Sequence, residues 1–217
     1  MPVLLRKLLL AAVAVSASGV SQAYSSPIMV SLLTPVQLPS REYDVAGFKL
    51  SLLYGDCRDF MGFDIGVVSR SAGEFNGLGV GGVNVVNGRF RGLQVGLVNW
   101  SGCADTTDEG CALGVQYGGI NIADSFFGLQ SGYVNVLYGA LSGAQCGYVN
   151  CANDMHGVQC GGLIVLGVNV AWGAVSGCQI GIFNYAQRMD YGVQIGILNI
   201  IANNGLLPVL PIVNGGF

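Results

Sequence analysis

The sequence predicts an all-β fold: a β-solenoid of 14–15-residue repeats, with an antiparallel outer-membrane β-barrel as the second architecture. Three observations carry this expectation. An eight-letter unit returns in phase, apolar and polar residues alternate with period two inside it, and its glycine content is too high for a helix. The stretch GLQVGLVN at 92–99 comes back as GVQIGILN at 192–199. Units begin at Gly77, Gly92, Gly114, Gly128, Gly143, Gly157, Gly177 and Gly192, in steps of 15, 22, 14, 15, 14, 20 and 15. The two long steps hold the insert CADTTDEGC at 103–111 and an expansion around Leu166–Trp172.

Each unit reads G-φ-Q-φ-G-φ-φ-N-φ, where φ is apolar. Its third position is Gln94, Gln116, Gln130, Gln145, Gln159, Gln179 and Gln194, with Gly79 in the first unit. Its eighth is Asn84, Asn99, Asn121, Asn135, Asn150, Asn184 and Asn199; the Gly157 unit has Ile164 there, and Asn169 takes the role after the expansion. Leu93-Gln94-Val95 alternates as a half-buried strand does. Parity then slips, since Val98 and Trp100 are apolar around Asn99. A straight strand cannot change its buried face midway, so a corner is expected at Gly96, where glycine tolerates unusual dihedrals. One unit reads as two short strands separated by bends. G-x-x-x-G spacing also suits close helix packing in membranes, but each interior glycine costs a helix about 1 kcal/mol relative to alanine.

Identical units stacked in one direction put Gln over Gln and Asn over Asn, as coils of a solenoid do. At the strand spacing of about 4.8 Å their amides can hydrogen-bond along the stack. A barrel wall instead needs unbroken alternation over about 9–11 residues.

The elements follow in order. Residues 1–23 read as a signal peptide: Arg6 and Lys7, an apolar run from Leu8 to Val15, then Ser21-Gln22-Ala23 before a mature start near Tyr24. Residues 24–76 form an N-terminal β segment, a cap or first coils, and 77–202 the repeat domain. Residues 203–217 form a C-terminal cap, whose two prolines stop ladder pairing.

Composition narrows the function. The chain is 52% hydrophobic, only 10% charged and carries a net charge of −3, with 35 glycines. No basic patch exists for nucleic acid, and the apolar content excludes a disordered chain. Seven cysteines in an exported chain point to disulfides. Cys103–Cys111 would close the insert loop. Cys146 and Cys160 share the fourth position of consecutive units, within disulfide range if stacked, and either bond or pack as small apolar residues. Cys57, Cys151 and Cys178 have no assigned partner. The single histidine, His156, excludes the familiar zinc spacings. No G-x-S-x-G elbow or P-loop occurs, so a non-enzymatic protein without a cofactor is expected. Asp105, Asp108 and Glu109 do not match calcium-loop spacing; their acidic tip is the expected partner-contact loop.

The repeat, the exported start and the closing LPVLPIVNGGF together resemble bacterial cell-surface repeat proteins, over roughly residues 47–217. That resemblance implies a cell-envelope location, at the outer membrane or cell surface or alternatively in the periplasm, and brings no functional residues. Phe217 looks like the terminal aromatic of an outer-membrane barrel, although Asn214-Gly215-Gly216 and the prolines spoil the strand before it. The expected role is an exported structural or interaction protein of the envelope presenting Gln/Asn/Gly faces. Its expected partner is a protein or other envelope component, with membrane association or self-association through open solenoid ends as further routes. The alternative is a membrane-embedded pore or scaffold.

Overall fold

The computed structural model describes residues 24–102, 112–161 and 166–217. Among them every regular element is a strand: β1 (Ser25–Leu33), β2 (Val36–Leu38), β3 (Asp44–Cys57), β4 (Phe60–Ser71), β5 (Phe75–Val86), β6 (Phe90–Ser101), β7 (Ala112–Ala123), β8 (Phe126–Leu137), β9 (Ala140–Cys146), β10 (Val149–Ala152), β11 (Asp154–Cys160), β12 (Val168–Ile180), β13 (Phe183–Asn203) and β14 (Val209–Gly216). From β3 to β13 each strand pairs in parallel with the one before it in the stack, glycine over glycine. The fold is a β-solenoid of about 11 turns and not a barrel.

A typical coil is one bent strand rather than two. In β6 the ladder runs from Gly81↔Gly96 to Val83↔Val98 and passes over Leu97, which sits at the bend. The parity slip therefore marks a real corner, but glycine is needed there for space. A Cβ on Gly96 would press on the Gly81 carbonyl and the Asn84 amide. The glycine whose dihedrals matter is the first of each unit. Ten of these, from Gly47 to Gly192, have φ between 135° and 151°, and a Cβ on Gly92 would strike the Gly77 carbonyl oxygen.

That series begins at Gly47, so segment 24–76 supplies the first coils as well as a cap. At this end β1 lies parallel on β3 and carries the short antiparallel β2. At the other end β14 folds back antiparallel on β13, with Pro211 inside it. Both ends of the stack are thus covered by antiparallel strands beside prolines, which blunts edge pairing.

The interior is a set of columns running the length of the rod. Phe60, Phe75, Phe90 and Phe126 stack with ring centroids 4.9, 5.7 and 6.4 Å apart, and Leu141, Met155, Val175 and Met189 continue the line. The small residues Ala123, Ala152, Ala171 and Ala186 form part of a facing column. Between them run the amides.

Candidate functional site

The glutamine and asparagine columns form as expected, but inside the coil. Every residue of both ladders is buried, nearly all of them completely. The expectation of outward Gln/Asn faces is therefore overturned. Each glutamine Nε2 donates to the Oε1 of the preceding coil's glutamine, from Gln116→Gln94 to Gln194→Gln179, at 2.7–2.9 Å. Each asparagine Nδ2 donates the other way, to the Oδ1 of the next coil, from Asn84→Asn99 to Asn184→Asn199, at 2.7–2.8 Å. Asn169 fills the place after the expansion. The two columns have opposite polarity, so their amide dipoles oppose one another along the rod.

The remaining amide hydrogens are spent on backbone. Asn84, Asn99, Asn121, Asn135, Asn150 and Asn184 also donate to the carbonyl at the fourth position of the next coil. Gln145, Gln179 and Gln194 donate across the coil to Cys151, Tyr185 and Ile200. Buried amides are tolerable only when partnered in this way. The glutamine column is left unsatisfied at its two ends alone: Gln94 Nε2 and Gln194 Oε1 have no partner. Gln94 faces Gly79, which has no side chain to offer.

Upstream of Gly79 the same column changes chemistry. The register continues through Asp64 to Lys49, and these form a buried ion pair at 3.2 Å. Lys49 Nζ also donates to the Arg70 carbonyl at 2.9 Å, and Ser69 Oγ donates to Asp64 Oδ1 at 2.8 Å. Burial holds the Asp64 carboxyl above its ordinary value, against the opposing pull of Lys49 and Ser69. Cys57, within the field of this pair, is likewise pushed up by burial against the Lys49 charge. The sequence reading missed this cluster, because its residues differ from the repeat. Stepping the period of 15 back from Gly77 to Gly62 and Gly47 would have exposed it.

The expected sites divide as follows. Cys103, Cys111, Asp105, Asp108 and Glu109 lie outside the described residues, as do residues 1–23, where a signal peptide is expected. Cys146 and Cys160 are stacked in register, yet both are free thiols. They pack without bonding, so the disulfide expected as one option does not form. Burial raises the thiol of Cys146 and also those of Cys151 and Cys178, with Cys160 adding to the effect on Cys146 and Cys178. His156 is exposed, and Asp154 is occupied in the turn, accepting from Ala174 N at 2.7 Å.

What the rod shows to its surroundings is apolar. Side chains at the second, fourth, sixth, seventh and ninth positions point outward, among them Leu97, Trp100, Tyr117, Ile120, Leu129, Tyr133, Ile195 and Ile197. From Gly92 onward no charged residue occupies these positions among the described residues. From Gly92 onward the charges of the described residues lie at or beside the turns that close each coil, at Asp124, Asp154, Arg188 and Asp190; further back Glu74 and Arg89 do the same, while Arg91 and the Arg70–Asp56 pair lie on strands. An open apolar depression of about 390 Å³ lies on one outer face, lined by Leu166, Ile182, Ile195, Ile197 and Ile212. No family model, curated protein or solved structure matches the chain.

Proposed function

We propose that this chain is an exported, non-enzymatic structural component of a bacterial cell envelope, and that it acts through its outer faces rather than through a pocket. The reading is supported by the inversion of the usual polarity. The hydrogen-bonding side chains are sequestered in the ladders, and the outward positions of more than half the rod are apolar. A monomeric soluble protein rarely exposes apolar patches beyond a few hundred Å², so these faces read as contact surfaces. The ladders are the scaffold that keeps those faces flat and in register.

Expression of the full chain in a cell with an outer membrane, followed by fractionation, tests the reading. Recovery in the envelope fraction, with residues 1–23 removed, is the expected result. Accumulation as an uncleaved monomer in the cytosolic fraction would overturn it.

A further inference from the structure

We infer that the surface met by the apolar faces is a lipid bilayer, and that the rod lies along it with the Leu97–Ile197 corner in the hydrocarbon and the turn edge in water. This inference rests on the apolar-contact reading above and names the contact.

Three features of the cross-section favour lipid over a second copy of the chain. First, the apolar surface is continuous around the corner, from one face (Leu129, Ile195) through Leu97 and Ile197 to the other (Ile120, Leu198). Ten coils at about 4.8 Å make a rod of about 48 Å. An arm of about 17 Å then gives each face about 800 Å², one partner's full share of a standard interface. A two-fold contact would cover one face and leave the other in water, whereas a bilayer covers both.

Second, from Gly92 onward the charged groups gather along one edge, and the exceptions further back, Arg91 and the Arg70–Asp56 pair, lie near the strand ends beside it. They are of mixed sign and partly paired, as in Arg188–Asp190 at 2.7 Å and Arg58–Asp44 at 2.6 Å. Such an edge needs no anionic lipid. Third, both tryptophans lie at or beside that edge, whereas the exposed tyrosines are shared between it and the corner, where Tyr133 and Tyr148 stack at 5.8 Å. Tyr138 is 69% exposed in a turn and Trp172 63% exposed where the β12 ladder is interrupted, with Trp100 and Tyr185 one step inward. Tyrosine and tryptophan concentrate at membrane–water boundaries in this way. The backbone of each inner coil bonds to two neighbours, as lipid requires, and among the described residues the sheet is open only along the outer edges of the terminal strands.

Flotation of the purified full chain with phosphatidylcholine vesicles tests this, read together with Leu97→Asp and Ile197→Asp. Both side chains are at least 70% exposed, so neither change disturbs the interior. The wild type is expected to float, with little sensitivity to salt. Each substitution should lower partitioning roughly tenfold or more. The two tryptophans provide a second reading in the variants Trp172→Phe and Trp100→Phe. Lipids brominated on their acyl chains should quench Trp100 more strongly than Trp172. Flotation unaffected by the corner substitutions, or quenching in the reverse order, would overturn the orientation and with it the inference. A chain that does not float but self-associates without vesicles would overturn the lipid inference and leave the apolar-contact reading standing. A chain that remains a monomer and does not float would overturn both.

Discussion

The first coils and the later ones solve one problem with different chemistry. In both, the inward third position of the coil must carry a polar side chain through a dry interior. From Gln94 to Gln194 the solution is neutral and repetitive, each amide between the two ends serving as donor to one neighbour and acceptor to the other. At Lys49 and Asp64 it is a single ion pair, closed by Ser69 and the Arg70 carbonyl. An amide column can be extended one coil at a time, since every unit presents the surface the next one needs. An ion pair cannot, because the two charges answer each other and their remaining bonds go to Ser69 and the Arg70 carbonyl rather than to the next coil's third position. The pair therefore suits the end of the rod, and Gly79 is the seam where the two chemistries fail to join.

The largest effect is expected from breaking the pair. Lys49→Met leaves Asp64 buried without its partner and should cost about 3–5 kcal/mol in urea unfolding. The double change Lys49→Gln/Asp64→Gln, which replaces the pair by two neutral amides in the same column positions, should cost far less. The two should also differ with pH. Because Asp64 is held above its ordinary value, the folded state binds that proton more tightly than the unfolded chain. Stability from this group is therefore full below about pH 3.9 and declines as pH rises through the raised folded value. The difference between wild type and double variant should shrink over that window, and a difference that grows with pH would contradict the assignment.

Gly114→Ala, in the middle of the ladder region, should be nearly as damaging as Lys49→Met. Gly114 has φ of 141°, and a Cβ there would strike the Gly92 carbonyl. Strain alone is about 1–3 kcal/mol, to which the backbone collision adds. Gly79→Ala should cost much less, since its Cβ would meet only the movable Phe75 ring at 3.2 Å. Thermal unfolding of the two variants gives the comparison.

The seam also separates the effects of ladder substitutions. Gln145→Leu strands the Gln130 oxygen and the Gln159 amide, so about 2–3 kcal/mol should be lost. Gln94→Leu breaks the bonds its Oε1 accepts from Gln116 and Ser101, but Gln116 keeps Ser101 Oγ as an acceptor and the lost amide already lacked a partner, so about 1 kcal/mol should be lost. Equal losses would mean that the column is not continuous.

How much of this could be read from the residues depends on the feature. The stack, its register and both amide columns follow from period alone, because seven Gln and seven Asn in phase have few other uses. Which way they point does not follow. A Gln between Leu93 and Val95 looks outward by the ordinary rule that polar residues face water. That rule fails here because stacking satisfies the amides internally, at a spacing no single unit reveals. The Lys49–Asp64 pair stayed hidden for a related reason, since it keeps the register while changing the letters.

The smallest expected effect is a gain. Gly79→Gln would give Gln94 Nε2 the acceptor it lacks and direct a new amide toward Asp64. About 1 kcal/mol of added stability is expected. Phe75 must shift to admit the side chain; in the next coil Phe90 and Gln94 are both fully buried together. A loss would show that the seam is packed rather than merely unfilled.

The central claim is that the amides are inside and the apolar residues outside. Hydrogen–deuterium exchange of the side-chain carboxamide protons, followed by nuclear magnetic resonance on the full chain, tests it most directly. The account predicts protection of the ladder Gln and Asn protons for hours, with the Gln94 amide at the column's end the fastest of its set. Exchange of Gln116, Gln130 and Gln145 at the rate of exposed amides would contradict it.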